Sequence, residues 1–194
     1  MDAAKHVRRF ADRIDGVAAI EFAIIAPFLL LTILSSYDIG RAFSVYIKVR
    51  SAAAALATIT NQYTTGTNDI EADDMQAITG ATAAILSPFP AGSTISKISQ
   101  IKMTSAANAV VSWSYATQGS AYSTGSSWTT LPSQFKTTKP CNSFPCYLIF
   151  AEVSYTYTPL FGAAITGPIS LSDNLYAAPR SSACIQYLGS PSSC

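Results

Sequence analysis

Val17–Leu34 reads VAAIEFAIIAPFLLLTIL, eighteen residues of which fifteen are Ala, Val, Ile, Leu or Phe. As an α-helix it covers about 27 Å, close to the ~30 Å hydrocarbon core of a bilayer. Ser35, Ser36 and Tyr37 complete the span. A buried core helix normally shows a shorter run, about 10–14 apolar residues. A cleaved secretory signal has a similar basic start and apolar centre but needs a small-x-small site just after the run. Tyr37-Asp38-Ile39-Gly40-Arg41 is a poor site of that kind. The stretch therefore predicts a retained membrane helix over residues 17–37.

The flanks set its direction. Lys5, Arg8, Arg9 and Arg13 precede the span, Arg41, Lys48 and Arg50 follow it, and beyond Ser51 only Lys97, Lys102, Lys136, Lys139 and Arg180 are basic. Basic residues stay cytoplasmic, so residues 1–16 are expected inside as a basic leader and the large C-terminal part outside. Charge is scarce overall: 12% of the 194 residues against 49% apolar, with net charge +1. A spanning helix excludes charge, and Ser and Thr take over solvation in the remainder. Without a net field the chain is not expected to bind nucleic acid. Disorder needs the opposite combination of low apolarity and high charge.

The helical pattern continues past the membrane edge. Arg41, Ser44, Lys48, Ser51 and Thr58 recur at helical spacing as one narrow polar stripe, with apolar residues filling most of the remaining circumference. One helix is expected from about residue 14 to 62, with residues 38–66 as its extramembrane continuation, ended by Thr64-Thr65-Gly66. A second helix is expected over Asp69–Leu86, capped by Asn68 or Asp69 and stopped by Pro88 and Pro90. Glu71, Asp73 and Asp74 suit its positive N-terminal end better than catalysis or calcium binding. Period-two alternation then predicts strands at Ile95–Met103, Ala109–Thr117, Tyr147–Thr158 and Ile169–Ala177. Gln118–Pro140 reads as a Ser/Thr/Gly-rich surface loop, and Cys184–Tyr187 as a short edge strand. The fold expected is α+β: a long N-terminal transmembrane helix, with a second helix and a small antiparallel sheet forming an outer domain over residues 67–194.

Cys141, Cys146, Cys184 and Cys194 all lie on the expected outer side, an even count that fits disulfides in an oxidising compartment. Of three possible pairings, Cys141–Cys146 with Cys184–Cys194 is preferred because both close short loops. Spacing without histidine disfavours zinc. The one histidine, His6, sits in the leader, so Ser-His-Asp and Cys-His arrangements are missing from the outer part. No phosphate-binding glycine loop occurs either. Neither an enzyme nor a cofactor is expected.

Glu21 is the anomaly. An ionisable side chain costs roughly 2.5–3.5 kcal/mol at the centre of a spanning helix and usually marks function; near the polar edge it can also snorkel. Its setting is Arg13-Ile14-Asp15-Gly16-Val17-Ala18-Ala19-Ile20-Glu21-Phe22. With Pro27, Gly40 and Arg41 following in order, the stretch RIDGVAAIEFAIIAPFLLLTILSSYDIGRAF and on into SAAAALA resembles type IV prepilins, and more closely the TadE/TadF pseudopilins of tight-adherence (Flp) pilus systems. Ala151–Pro159, AEVSYTYTP, is similar to a strand of their outer domain. The resemblance implies a pilin-like fold and cleavage between Gly16 and Val17 by a membrane prepilin peptidase. Glu21, next to Phe22, would then pair with the new α-amine of a neighbouring Val17. It further implies a minor pilin-like subunit or assembly factor in a bacterial inner membrane, with other pilins and the pilus platform proteins as partners. Deleting residues 1–16 removes four basic and three acidic side chains, leaving a formally neutral chain (8 − 8 = 0). The competing reading is an uncleaved, membrane-anchored module whose outer sheet or Tyr/Ser loop, Gly119–Lys139, recognises a surface or glycan. Pro27 lacks an N–H, so a kink is expected unless the helix simply tolerates it.

Overall fold

The computed structural model describes residues 15–66, 69–137, 141, 143–180, 183–190 and 194. Residues 1–14 of the basic leader, with His6, and Asn68 and the end of the Gln118–Pro140 loop lie outside them. Helix α1 runs Asp15–Thr60 and continues through Pro27 without a break. Up to the segment around Phe161 that meets it near Leu34 and Tyr37, the inner half of the helix is unburied; Ile24, Phe28, Leu31 and Ile33 all stand exposed. The outer half differs. Val45, Val49, Ala52, Ala53, Leu56 and Ala57 fall on one face and are buried, the i, i+4, i+7 spacing of an amphipathic helix seated on a domain.

Helix α2, Ala72–Leu86, packs on that outer half through Met75, Ile78 and Leu86. Its N-cap is Glu71, whose N–H donates to Asp74 Oδ2 at 3.0 Å, one half of a capping arrangement that satisfies an otherwise orphaned helix-start group. The start is thus two to three residues later than expected. Asp69 turns instead to the preceding bend, accepting from Gly66 N–H at 2.7 Å. Gly66 has φ +79°, a conformation that costs glycine little.

Four strands follow: β1 Thr94–Met103, β2 Ala109–Ala116, β3 Cys146–Tyr157 and β4 Ile169–Ala177. They form one antiparallel sheet in the order β2-β1-β3-β4. The register shifts between Gln100 and Ile101 opposite β2, so Ser112 is an extra residue there and β2 bulges. One face carries Ile98, Trp113, Ile149, Ala151, Val153, Tyr155 and Tyr157 and packs on α1 and α2 as the main core.

The other face is covered at one end. Ile101, Met103, Val111, Leu148 and Phe150 form a second cluster with Leu131, flanked by Tyr122, Trp128 and Phe135. The segment expected as a surface loop is therefore a lid on the sheet, with a short helix α3, Gln134–Thr137. The reason lies in β3: Leu148 and Phe150 alternate onto the back face and need cover. The lid also pairs with the open edge of β2, where Val111 N–H donates to Ser126 O at 2.9 Å and Trp128 N–H to Ala109 O at 2.8 Å, which blunts an exposed sheet edge.

Cys184–Tyr187 does not join the sheet. Tyr187 makes an isolated parallel bridge with Ile70, ahead of α2, while Ile185 is buried in the main core. A one-turn helix α4, Ala163–Thr166, lies in the β3–β4 connection.

Candidate functional site

In this fold α1 is the element with surface to spare. On its outer half the face opposite the core presents Ile39, Phe43 and Ile47, of which Phe43 is 62% exposed. Steps of four place them in one line, contiguous with the apolar inner half. The polar stripe read from the sequence is only partly solvated. Lys48 Nζ donates to Ile85 O at 3.1 Å and Ser87 O at 2.6 Å, capping the C-terminal end of α2, where carbonyls are left without helical partners. The Arg41 guanidinium lies 5.8 Å from the Tyr37 ring centre and 5.6 Å from that of Phe89, a cation–π arrangement.

Asp38 went unmarked in the sequence and ties the helix to the sheet domain at the end of the apolar run. Its side chain is buried and accepts three backbone N–H groups from the β3–β4 connection: Leu160 at 2.9 Å, Phe161 at 2.9 Å and Gly162 at 2.7 Å. A Cβ at Gly162 would stand 3.4 Å from the carboxylate, so a small residue suits this approach. Tyr157 Oη donates to the Asp38 carbonyl at 3.3 Å. Burial works to raise the Asp38 pKa, but the N–H donors of Gly162, Leu160 and Phe161 and the Arg41 charge outweigh it and hold the carboxyl below the ordinary range. The signal available in the sequence was an acid immediately after an apolar span; its partners lie over 120 residues away.

The residues singled out for processing sit together at the start of α1. Gly16, Val17, Glu21 and Phe22 lie in its first turns with exposed positions. Glu21 has no hydrogen bond or ion pair among the described residues. The structure joins Cys141 to Cys146 across the start of β3, with Cα atoms 5.5 Å apart, and Cys184 to Cys194, 6.0 Å apart. The second bridge tethers the segment whose Ile185 peptide is held by Trp113 and Gln100. Among the described residues no group of three His, Cys, Asp or Glu side chains is placed to hold a metal ion.

The aromatic residues of the Tyr/Ser loop turn inward. Tyr122 and Trp128 rings meet edge to face at 5.0 Å, and Trp128 packs on Phe150 at 4.9 Å. Trp128 Nε1 donates to Tyr176 Oη at 3.0 Å and Tyr122 Oη to Glu152 Oε2 at 3.0 Å. Burial, reinforced by the Glu152 charge and hydrogen bond, pushes the Tyr122 phenol up to about 12. These rings serve as packing for the sheet's back face.

A helix with an apolar inner half, an exposed apolar line on its outer half and Glu-Phe near its start agrees with comparison to known families, where residues 16–58 match the model described as TadE-like protein. The chain carries a TadE-like helix. The match runs along α1 almost to its end and stops before α2, so the sheet domain lies outside it. Comparison with curated proteins and with solved structures finds no match in either. The TadE-like helix supports a role related to the Tad pilus, and it is long and apolar enough to cross a membrane.

Proposed function

We propose that the protein is a minor pilin-like subunit or assembly factor of a tight-adherence pilus, held in the bacterial inner membrane by residues 17–37 with residues 38–194 on the periplasmic side. It acts by packing and not by catalysis. The observation that carries this is the exposed line Ile39, Phe43 and Ile47, which lies beyond the span. Apolar side chains there gain about 25 cal/mol for each Å² removed from water, so a neighbouring helix of a pilin or platform protein gives this face what its own domain does not. A photo-crosslinking residue in place of Phe43, in cells carrying the pilus system, is expected to capture a pilin-like subunit, and one in place of Gln76 to capture none. Equal yields at both positions, with Phe43→Asp leaving pilus assembly unchanged, would refute it.

Processing belongs to the same reading. Cleavage between Gly16 and Val17 by a prepilin peptidase frees an α-amine, and Glu21 of a neighbouring subunit then pairs with it. Such a buried pair is better suited to fixing axial register than to adding stability. N-terminal sequencing of the membrane-extracted chain should begin at Val17 when the peptidase is present and at Met1 when it is absent. If Glu21→Ala crosslinks and assembles like the parent, the register role is wrong.

A further inference from the structure

The connection between β3 and β4 sits beside the end of the apolar span. Asp38 binds the N–H groups of Leu160, Phe161 and Gly162, and the Phe161 ring meets Tyr37 edge to face at 5.8 Å. Counted along α1 at 1.5 Å per residue, Asp38 stands about 30 Å from Val17, one hydrocarbon thickness away. The connection therefore lies at the height of the outer headgroups, and its side chains are unusual for a water-facing turn. Leu160 is 61% exposed, Ile165 is 81% exposed, and Phe161 is exposed with them. No charged residue occurs between Glu152 and Asp173. Between this connection and α1 runs an apolar groove of about 310 Å³ whose helix wall includes Leu31 and Leu34, residues of the span itself. The groove is thus continuous with the lipid-facing surface of the helix. Asp38 also answers the usual objection to an apolar turn at the interface: it satisfies three peptide N–H groups that would otherwise lose water.

We infer that the β3–β4 connection is a second membrane contact, with Leu160, Phe161 and Ile165 set into the outer-leaflet interface and lipid acyl chain occupying the groove beside Leu31 and Leu34. This rests on the membrane-spanning reading of residues 17–37. Two contacts, the span and the turn, hold the sheet domain at one tilt against the bilayer, and Asp38 rigidly links them. Ile165, being almost fully exposed, can be replaced without disturbing the core.

The test uses the full chain in phosphatidylcholine/phosphatidylglycerol vesicles, with a nitroxide on Ile165→Cys, and in separate samples on Leu29→Cys within the span and Gln76→Cys on α2. Accessibility to oxygen, which partitions into lipid, is compared with accessibility to a water-soluble nickel complex. The expected result is an Ile165 label several-fold more accessible to oxygen than to nickel, at a depth shallower than Leu29, with Gln76 showing the reverse. An Ile165 label as nickel-accessible as Gln76, while Leu29 stays in lipid, overturns the turn contact and leaves the span intact. An Ile165 label shielded from both reagents and broadened by a neighbouring spin points to a second copy in place of lipid, and overturns it too. A water-exposed Leu29 label refutes the spanning reading and the inference together.

Discussion

Replacing Gln100 by Met tests how the C-terminal segment is held. Gln100 is fully buried on the helix-facing side of β1. Its Oε1 accepts the Ile185 N–H at 2.8 Å, and its Nε2 donates to Cys184 Sγ at 3.2 Å. Trp113 Nε1 donates to the Ile185 carbonyl at 2.8 Å. Both backbone polar groups of one buried residue, Ile185, thus end on side chains of the sheet. Methionine keeps the length of Gln100 and removes the acceptor, leaving the Ile185 N–H unsatisfied. That costs about 1–3 kcal/mol, partly offset because a thioether is easier to bury than an amide. A net loss of about 1–2 kcal/mol lowers the folded-to-unfolded ratio roughly 5- to 30-fold. Urea unfolding of the full chain in detergent micelles, followed by tryptophan fluorescence, reads the loss, and hydrogen exchange at the Ile185 amide localises it. Trp113→Phe releases the same residue at its carbonyl, so the double variant should depart from additivity by at least about 0.5 kcal/mol. An unchanged unfolding midpoint with the Ile185 amide as slow as in the parent would refute the reasoning.

Lys48→Met keeps the aliphatic stem but removes the ammonium from the end of α2. It should cost about 1–2 kcal/mol and speed hydrogen exchange over residues 83–89, leaving β4 unaffected. Asp38→Asn places an amide where three N–H groups converge and should loosen residues 159–167 from α1, read as proteolysis within that connection. Because the folded-state pKa of Asp38 is depressed, its tie is complete above the ordinary carboxylate range and weakens as pH falls through the lowered value; the same proteolysis should appear on acidification of the parent chain. The opposite sign applies to Tyr122, whose folded pKa is raised to about 12. Its contribution is whole below the free phenol value near 10 and is lost between there and about 12. Tyr63, Tyr155, Tyr157 and Tyr187 are also shifted up by burial, so a phenolate titration should show several late-titrating tyrosines, and Tyr122→Phe should remove one that titrates at about 12.

The long helix and all four strands were readable from the chain, to within a residue or so at each strand end, because each depends on local pattern. Apolar length decides the span, and alternation at Tyr147–Tyr157 decides which side of β3 meets the helix. Helix α2 was found, but its start was misplaced because several acids and Asn68 compete as caps, and only the path of the turn at Gly66 selects Glu71 and leaves Asp69 to brace the bend. The lid over Leu148 and Phe150 was missed since Ser, Thr and Gly content signals a turn-rich segment without revealing whether its Tyr122 and Trp128 reach back to a sheet. Cys184–Tyr187 has the residues of a strand, yet its partner is Ile70, because Gln100 and Trp113 hold the Ile185 peptide in the core and away from the sheet's edge.

By itself, then, the sequence determined that there is one apolar helix long enough to cross a bilayer, that Glu21 interrupts it near a Gly-Val junction, and that an α+β part follows. These follow from length, period and composition along neighbouring residues. The tertiary structure decided which face of α1 remains open, that Lys48 caps α2, and that Asp38 ties the end of the apolar run to Leu160, Phe161 and Gly162. Those choices depend on groups brought together from opposite ends of the chain, where hydrogen-bond satisfaction and burial act on pairs that no local pattern connects.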